Sequence, residues 1–433
     1  MKRIVGIHEK LPILKTLPLS FQHLFAMFGA TILVPLIFGI NPAIVLLMNG
    51  VGTLIYSFVT KGGIPAYLGS SFAFIAPTLL IMKSGGGFAH AQAGFIFFGF
   101  FFILISFIIK YAGIEWIDVV MPPAVMGAVV AVIGLELAPI AAMQAGLAPA
   151  ATEVGKVVAP FISDPNVIMV SMFTLLVGII GSVMFRGFFQ IIPILTAVVC
   201  GYAFAFFKGM INFKGVADAA WFSLPTFTFP VFDISAMLII APACLVVLAE
   251  HIGHLIVTGN ITEEDLMKKP GLHLSLLGDG ISNVLSGLVG SPPNTTYGEN
   301  IGVMAITRVY SVWVIRGAAL IAILFSCMGK IAAIIQSIPG PVMGGITILL
   351  YGVIATSGIR MLVENKVDFS KSYNMVLASV TFVIGVSGAS IMIGTVQLKG
   401  MAFAAVAGAV LSITFYLISK LGIMNEEYKP NNR

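Results

Sequence analysis

From Leu17 to Lys420 the chain is a succession of apolar runs separated by short polar turns, most of them close to the about 20 residues that a helix needs to cross a bilayer. Only 9% of its 433 residues are charged and 58% are hydrophobic, whereas a soluble domain carries about 25% charged residues. Pattern and composition together define an integral membrane protein. The net charge of +5 is no nucleic-acid signal, because in such a chain it is the placement of Lys and Arg that carries information.

The apolar runs predict fourteen spans, at 17–38, 42–60, 64–82, 90–110, 119–139, 166–185, 188–207, 234–258, 271–290, 293–307, 310–329, 341–359, 372–391 and 398–420. The third and tenth are short or interrupted by Gly and Pro, and 119–139 and 341–359 open on prolines that leave their starts ambiguous. With the N-terminus inside, sixteen of the 23 Lys and Arg fall on inner segments, six on outer loops, and Arg316 within a span. That asymmetry predicts a multi-pass protein of the cell inner (plasma) membrane with both termini cytoplasmic. Met1 to Lys15 is polar, with no apolar core ahead of a cleavage site, so no cleaved leader is expected. The outer loops 140–165 and 209–232 are candidate caps. Cys200, Cys244 and Cys327 all lie in apolar segments and read as packing thiols rather than a disulfide framework or metal set.

The two halves echo one another. Pro122-Pro123-Ala124-Val125-Met126-Gly127 opens the fifth span and Pro339-Gly340-Pro341-Val342-Met343-Gly344 the twelfth. Gln22-His23 in the first span is echoed by Glu250-His251 in the eighth, 228 residues on, and the same offset carries Ser71 onto Glu299. Seven spans is an odd number, so the second copy enters from the opposite side. The expected fold is therefore all-α and membrane-embedded, two inverted seven-span repeats with short extended pieces in spans 3 and 10. Inverted repeats of this kind are the mark of secondary transporters.

The interrupted spans are where chemistry is expected. Lipid offers broken backbone no hydrogen-bond partner, so Tyr67 to Pro77 and Pro293 to Arg308 must line a protein cavity. Their half-helix N-termini would present free N–H groups to carbonyl oxygens or anions. Glu299 lies in one of these stretches. Glu250 and His254, four apart, share a helical face in the eighth span, and acids at membrane depth are functional by default. Desolvation penalises their charged forms, so such carboxyls can exchange protons near neutral pH, with His254 as relay or gate. His251 either joins the site or pins its helix through an internal hydrogen bond. Glu136 and Asp279 lie in apolar segments without a motif, as gate or packing residues. Tyr351 falls opposite the site by repeat logic.

These residues resemble a known family. Glu299-Asn300-x-Gly302-x-x-x-x-Thr307-Arg308 matches the signature of the nucleobase–ascorbate transporter family (nucleobase:cation symporters), and Gln22-His23 and Ala249-Glu250-His251 match its other markers. The likeness runs from Leu17 to about Lys420. The runs Asn294 to Asn300 and Tyr67 to Phe74 are typical of its bacterial uracil-permease branch. The resemblance implies a core of spans 1–4 and 8–11 (17–111 and 233–335) and a gate of spans 5–7 and 12–14 (114–208 and 339–421), with cytoplasmic ends at 1–16 and 422–433. The gate commonly mediates homodimerisation. It also implies proton-coupled uptake of uracil, with Glu250 and Glu299 binding the pyrimidine edge and the N–H groups of Phe72 and Gly298 holding a carbonyl oxygen. Ser71 and Tyr297 would complete the substrate site. His254 would couple protons, and Gln22, His23, His251, Asn300 and Tyr351 would support the site.

The ring chemistry agrees. Uracil presents two N–H donors and two carbonyl acceptors, which two glutamates and two backbone amides can match, while Phe72 and Tyr297 can stack on its faces. A purine or xanthine permease of the same family is the runner-up. An anion carrier is disfavoured by two acids at the site. A membrane metalloprotease is disfavoured because the order is Glu-His-x-x-His, without a third ligand, so no metal, cofactor or enzymatic activity is expected. A passive channel is disfavoured by the buried titratable groups.

Overall fold

The computed structural model describes residues 4–149, 164–393, 396–426 and 428–430. Residues 150–163, most of the outer loop expected at 140–165, lie outside the described residues, as do the extreme ends.

The first half comprises α1 (Ile13–Ala26), α2 (Phe28–Phe38), α3 (Pro42–Val59), strand β1 (Leu68–Ser70), α4 (Ile75–Lys83) and α5 (Gly87–Ala112). It continues through the short α6 (Glu115–Val120) to α7 (Pro123–Gln144), α8 (Pro165–Met184), α9 (Pro193–Phe207) and the short α10 (Lys214–Asp218). The second half comprises α11 (Ile234–Thr262), α12 (Leu272–Val289), strand β2 (Asn294–Thr296), α13 (Gly298–Thr307), α14 (Val312–Ser326) and α15 (Gly329–Gln336). Helix α16 (Gly340–Glu364), α17 (Ser372–Val386), strands β3 (Ser390–Ile393) and β4 (Val396–Lys399) and α18 (Gly400–Lys420) complete it. Among the described residues nine helices are long and apolar enough to cross a membrane, α1 and α2 counting as one. The other five expected spans are shorter. Spans 3 and 10 are the half-helices α4 and α13 behind their strands, and α9, α14 and α17 have 15 residues each.

Prolines explain several boundaries. Pro42 and Pro165 sit at the starts of α3 and α8, behind Asn41 and Asp164 side chains that cap the following amides at 2.9 and 2.8 Å. The proline pairs that made spans 5 and 12 ambiguous likewise stand at the N-termini of α7 and α16, where a missing N–H costs nothing. The thirteenth span departs from expectation. It ends at Val386 instead of residue 391, and Ser390–Ile393 pairs antiparallel with Val396–Lys399. Gly388, at φ 74°, turns the chain out of the helix.

Two groups of helices pack internally. In one, α5 lies along α12 and α11, α3 along α14 and α12, and α1 along α14. In the other, α7 lies along α16 and α17, α8 along α9 and α16, and α17 along α18. Exchanging α1, α3, α5, α7, α8 and α9 for α11, α12, α14, α16, α17 and α18 maps each list onto itself. Helices α7 and α16 cross in close contact because Gly134 and Gly358 have no side chains. A Cβ on either would overlap backbone of the other helix, the small-residue contact that membrane helices favour. Glu136, left open by sequence, accepts a hydrogen bond from Met401 N–H at 2.9 Å and so caps the start of α18.

Both polar ends of the first group are latched. Gln92 Nε2 donates to Thr228 O (2.9 Å) and Gly287 O (2.8 Å), holding the loop 209–232 onto α5 and α12. At the other end Val5 N–H donates to Arg308 O (3.0 Å), Tyr310 N–H to Val5 O (2.9 Å) and Val312 N–H to Ile7 O (2.9 Å). The N-terminal segment, apart from any span in the sequence, is thus a strap over the α13–α14 turn, with Val5 packed on Val309 and Val314.

Candidate functional site

The site begins at the broken spans. β1 and β2 pair antiparallel, Leu68 opposite Thr296, Gly69 opposite Thr295 and Ser70 opposite Asn294. Ser71 N–H donates to Pro293 O (2.9 Å) and Tyr297 N–H to Tyr67 O (3.1 Å), which are the last rungs. Backbone that lipid would leave unsatisfied therefore finds its partner in the other half of the chain. These rungs correct the expected correspondence: Ser71 is the counterpart of Tyr297 rather than of Glu299. Phe72 and Gly298 then stand one residue beyond the ladder, at the first positions of the two helical segments, where amides have no intrahelical acceptor.

A cavity of about 280 Å³ opens at this junction. It is lined by every residue expected to touch substrate (Ser71, Phe72, Glu250, Tyr297, Gly298 and Glu299) and by His254. Glu250 Oε2 and Ser71 Oγ are buried without a hydrogen-bond partner among the described residues. His254 Nδ1 lies 3.2 Å from Thr296 Oγ1, and a Cβ on Gly298 would come within 3.1 Å of His254 Nε2. Glycine there lets the imidazole reach over the end of the half-helix. Tyr297 Oη donates to Ser70 O at 3.1 Å, fixing its ring beside the cavity. Across the cavity stand Val130 of α7 and Ile354, Ser357 and Met361 of α16. Tyr351 meets Phe72 edge to face, with ring centroids 6.1 Å apart. The lining continues to Ile261, Arg360 and Glu364 at the C-terminal ends of α11 and α16, where a second cavity of about 670 Å³ begins.

Gln22, His23, His251 and Asn300 do not line the cavity. Asn300 Nδ2 approaches His23 Nδ1 and O, both at 3.2 Å, tying α13 to α1. His251 belongs to a fully buried network behind the site. Its Nδ1 is 2.9 Å from Asp279 Oδ2 and its Nε2 2.7 Å from Ser275 Oγ, which lies 2.6 Å from Tyr56 Oη. Asp279 also accepts from Thr295 Oγ1 (3.3 Å) and Asn283 Nδ2 (2.9 Å). Asn283 in turn brackets Asn294, accepting from its N–H at 2.8 Å and donating to its carbonyl at 2.9 Å. Asp279 thereby holds β2 in place against α11. Sequence reasoning missed this network and Thr296. The visible signal was the polar stripe Ser275, Asp279, Ser282, Asn283 and Ser286 on one face of an otherwise apolar span.

No cluster of three or more His, Cys, Asp or Glu able to hold a metal occurs among the described residues. Broken helices meeting inside a multi-spanning bundle, with two acids and a histidine on one cavity, define a membrane permease. Residues 14–394 match the Xan_ur_permease profile, described as Permease family, and the chain belongs to that family. It is 58% identical over 420 residues to the uracil permease of Escherichia coli K12, covering 97% of this chain and 96% of that one. It is 56% identical to the uracil permease of Paenibacillus larvae, covering 98% and 99%, and 46% identical to that of Bacillus subtilis, covering 91% of each. Among solved structures the fold is similar to murine Slc26a9, an anion transporter in the inward-facing state, with TM-score 0.70, 12% identity and coverage of 95% of this chain and 69% of that one. It is also similar to the transmembrane domain of the cyanobacterial bicarbonate transporter BicA, with TM-score 0.61, 15% identity and coverage of 96% and 99%. At those identities the likeness is one of fold.

Proposed function

We propose that this permease carries uracil across the cytoplasmic membrane together with protons, by alternating access. The observation that carries this reading is the meeting of Glu250, Glu299 and the helix starts at Phe72 and Gly298 on one cavity. Carboxylates accept from the two ring N–H groups and backbone amides donate to the carbonyls. A site built this way rejects analogues that lack those groups. The names of the relatives point to the same substrate. His254, hydrogen-bonded to Thr296 and packed over Gly298, stands where it can pass a proton to the acids.

The fourteen-span inverted repeat is supported by the matching helix neighbours of the two halves. The core of spans 1–4 and 8–11 corresponds to the first packed group and the gate of spans 5–7 and 12–14 to the second. The cavity runs between them to the ends of α11 and α16, which face the cytoplasm if both termini do, so the conformation is read as open inward. Homodimerisation through the gate belongs to the same reading.

Radiolabelled uracil uptake into proteoliposomes, with and without an inward proton gradient, tests it. Uptake is expected to follow the gradient and to vanish in Glu299→Ala, and His254→Ala should lose the gradient dependence while uracil still binds. Competition by xanthine but not uracil would move the assignment to purines, and full gradient-driven uptake in His254→Ala would remove that residue from the mechanism. The wall behind the site offers a separate check. A Cβ on Gly69 would overlap the ring of Tyr297. Overpacking of this kind costs about 1–3 kcal/mol, so Gly69→Ala should push the ring into the cavity and weaken uracil binding about tenfold or more in calorimetric titration. Unchanged affinity would mean that Tyr297 does not shape the site.

A further inference from the structure

The transport mechanism uses none of the basic residues at the start of α14. Trp313 lies in the first turn of that helix and is 37% exposed; Leu320 and Leu324, on the same helical stripe, are 54% and 67% exposed. In a membrane such a stripe faces acyl chains. Two cations converge on the Trp313 ring, with Lys10 Nζ 4.1 Å and Arg316 Cζ 4.7 Å from its centroid. Lys10 is brought there by the N-terminal strap, where Ser311 Oγ donates to Glu9 O at 2.6 Å. Arg316 is held by its Nε, which donates to Ser57 Oγ at 2.8 Å, is partly exposed, and has Nη2 beside Gly62. No carboxylate forms an ion pair with either cation among the described residues. The positive end of α14 adds to their charge instead of offsetting it.

The geometry points to a binding site for an anionic phospholipid of the inner leaflet. Its phosphate sits between Lys10 and Arg316 and an acyl chain lies along Leu320 and Leu324. A guanidinium fork matches phosphate oxygens, and an amphipathic indole belongs at headgroup level. In the orientation proposed above this end of α14 is cytoplasmic, where anionic lipid attracts basic side chains. Arg316, read from sequence as a charge within a span, thus sits in the second turn, at the membrane boundary. Free phosphate shares the headgroup chemistry but makes no use of the leucine stripe.

Native mass spectrometry of the full-length protein, released from nanodiscs of mixed phosphatidylglycerol and phosphatidylcholine, tests the site without reference to transport. The wild type should retain phosphatidylglycerol in preference. Lys10→Gln should lower that retention about fivefold, the factor equivalent to about 1 kcal/mol per basic residue near an anionic surface, and Arg316→Gln by a similar factor. Because Arg316 also bonds Ser57, the exposed Lys10 variant is the deciding one, with melting by circular dichroism as the check on its fold. Phosphatidylglycerol vesicles should raise the Tm of the wild type more than that of Lys10→Gln, and inorganic phosphate should not raise it. Equal retention by wild type and Lys10→Gln would overturn the site, and protection by inorganic phosphate equal to that by lipid would overturn the lipid assignment.

Discussion

Glu299→Ala is expected to abolish uracil binding, and Glu250→Ala to do the same. On the proposed binding mode each substitution removes a charged hydrogen-bond partner worth about 1.5–3 kcal/mol and leaves a ring N–H desolvated against an apolar wall. The affinity should therefore fall about 100-fold or more, measured by calorimetric or scintillation-proximity binding on purified protein. Glu250 Oε2 has no protein partner to lose among the described residues, so its removal should leave the melting temperature nearly unchanged. Loss of binding at constant Tm separates a substrate contact from a structural one. Unchanged binding in both variants would show that the cavity is not the uracil site.

Asp279→Ala should act in the opposite manner, chiefly on stability. Asp279 is fully buried and is the shared partner of His251, Thr295 and Asn283. Removing one member of a buried charged network costs about 3–5 kcal/mol, because the remaining groups are left unpaired. The expected result is a large fall in Tm in detergent, with uracil binding reduced through misplacement of β2. Asp279→Asn, which can still accept from Thr295, should recover part of the Tm. A variant with wild-type Tm would show that the network does not hold the strand.

The membrane class, the positions of the long spans and the acids on the cavity were legible in the sequence. Apolar runs report the bilayer directly, and acids in lipid are too costly to be accidental, so Glu250 and Glu299 stood out without coordinates. What stayed hidden depends on pairings between distant segments. The partner of β1 lies in β2, and nothing local in Leu68 to Ser70 names it. The repeat suggested a correspondence but misplaced it, because an offset read from helices does not fix the register of a short ladder. Asp279 and Glu136 each appeared as a lone acid because their partners, His251 and the amide of Met401, are supplied by other helices. The turn into β3 was missed because Ser387 and Gly388 are too weak a break in an apolar run. The strap was missed because Val5 and Ile7 are apolar residues in a polar stretch, and the burial of Val5 depends on Val309 and Val314, about 300 residues away.

The β1–β2 ladder also bears on how the chain is made. Ribosomes deliver Leu68 to Ser70 long before Asn294 to Thr296 exist, and until then Leu68 N–H has Thr53 Oγ1 as its partner while Ser71 N–H and the Tyr67 carbonyl lack the rungs they make to Pro293 and Tyr297. The third segment cannot settle in the bilayer when it emerges and must wait beside its neighbours or the insertion machinery. Neither broken segment thus completes its backbone hydrogen bonds without the other. Completion of the third segment is a late step, possible only once the tenth has entered.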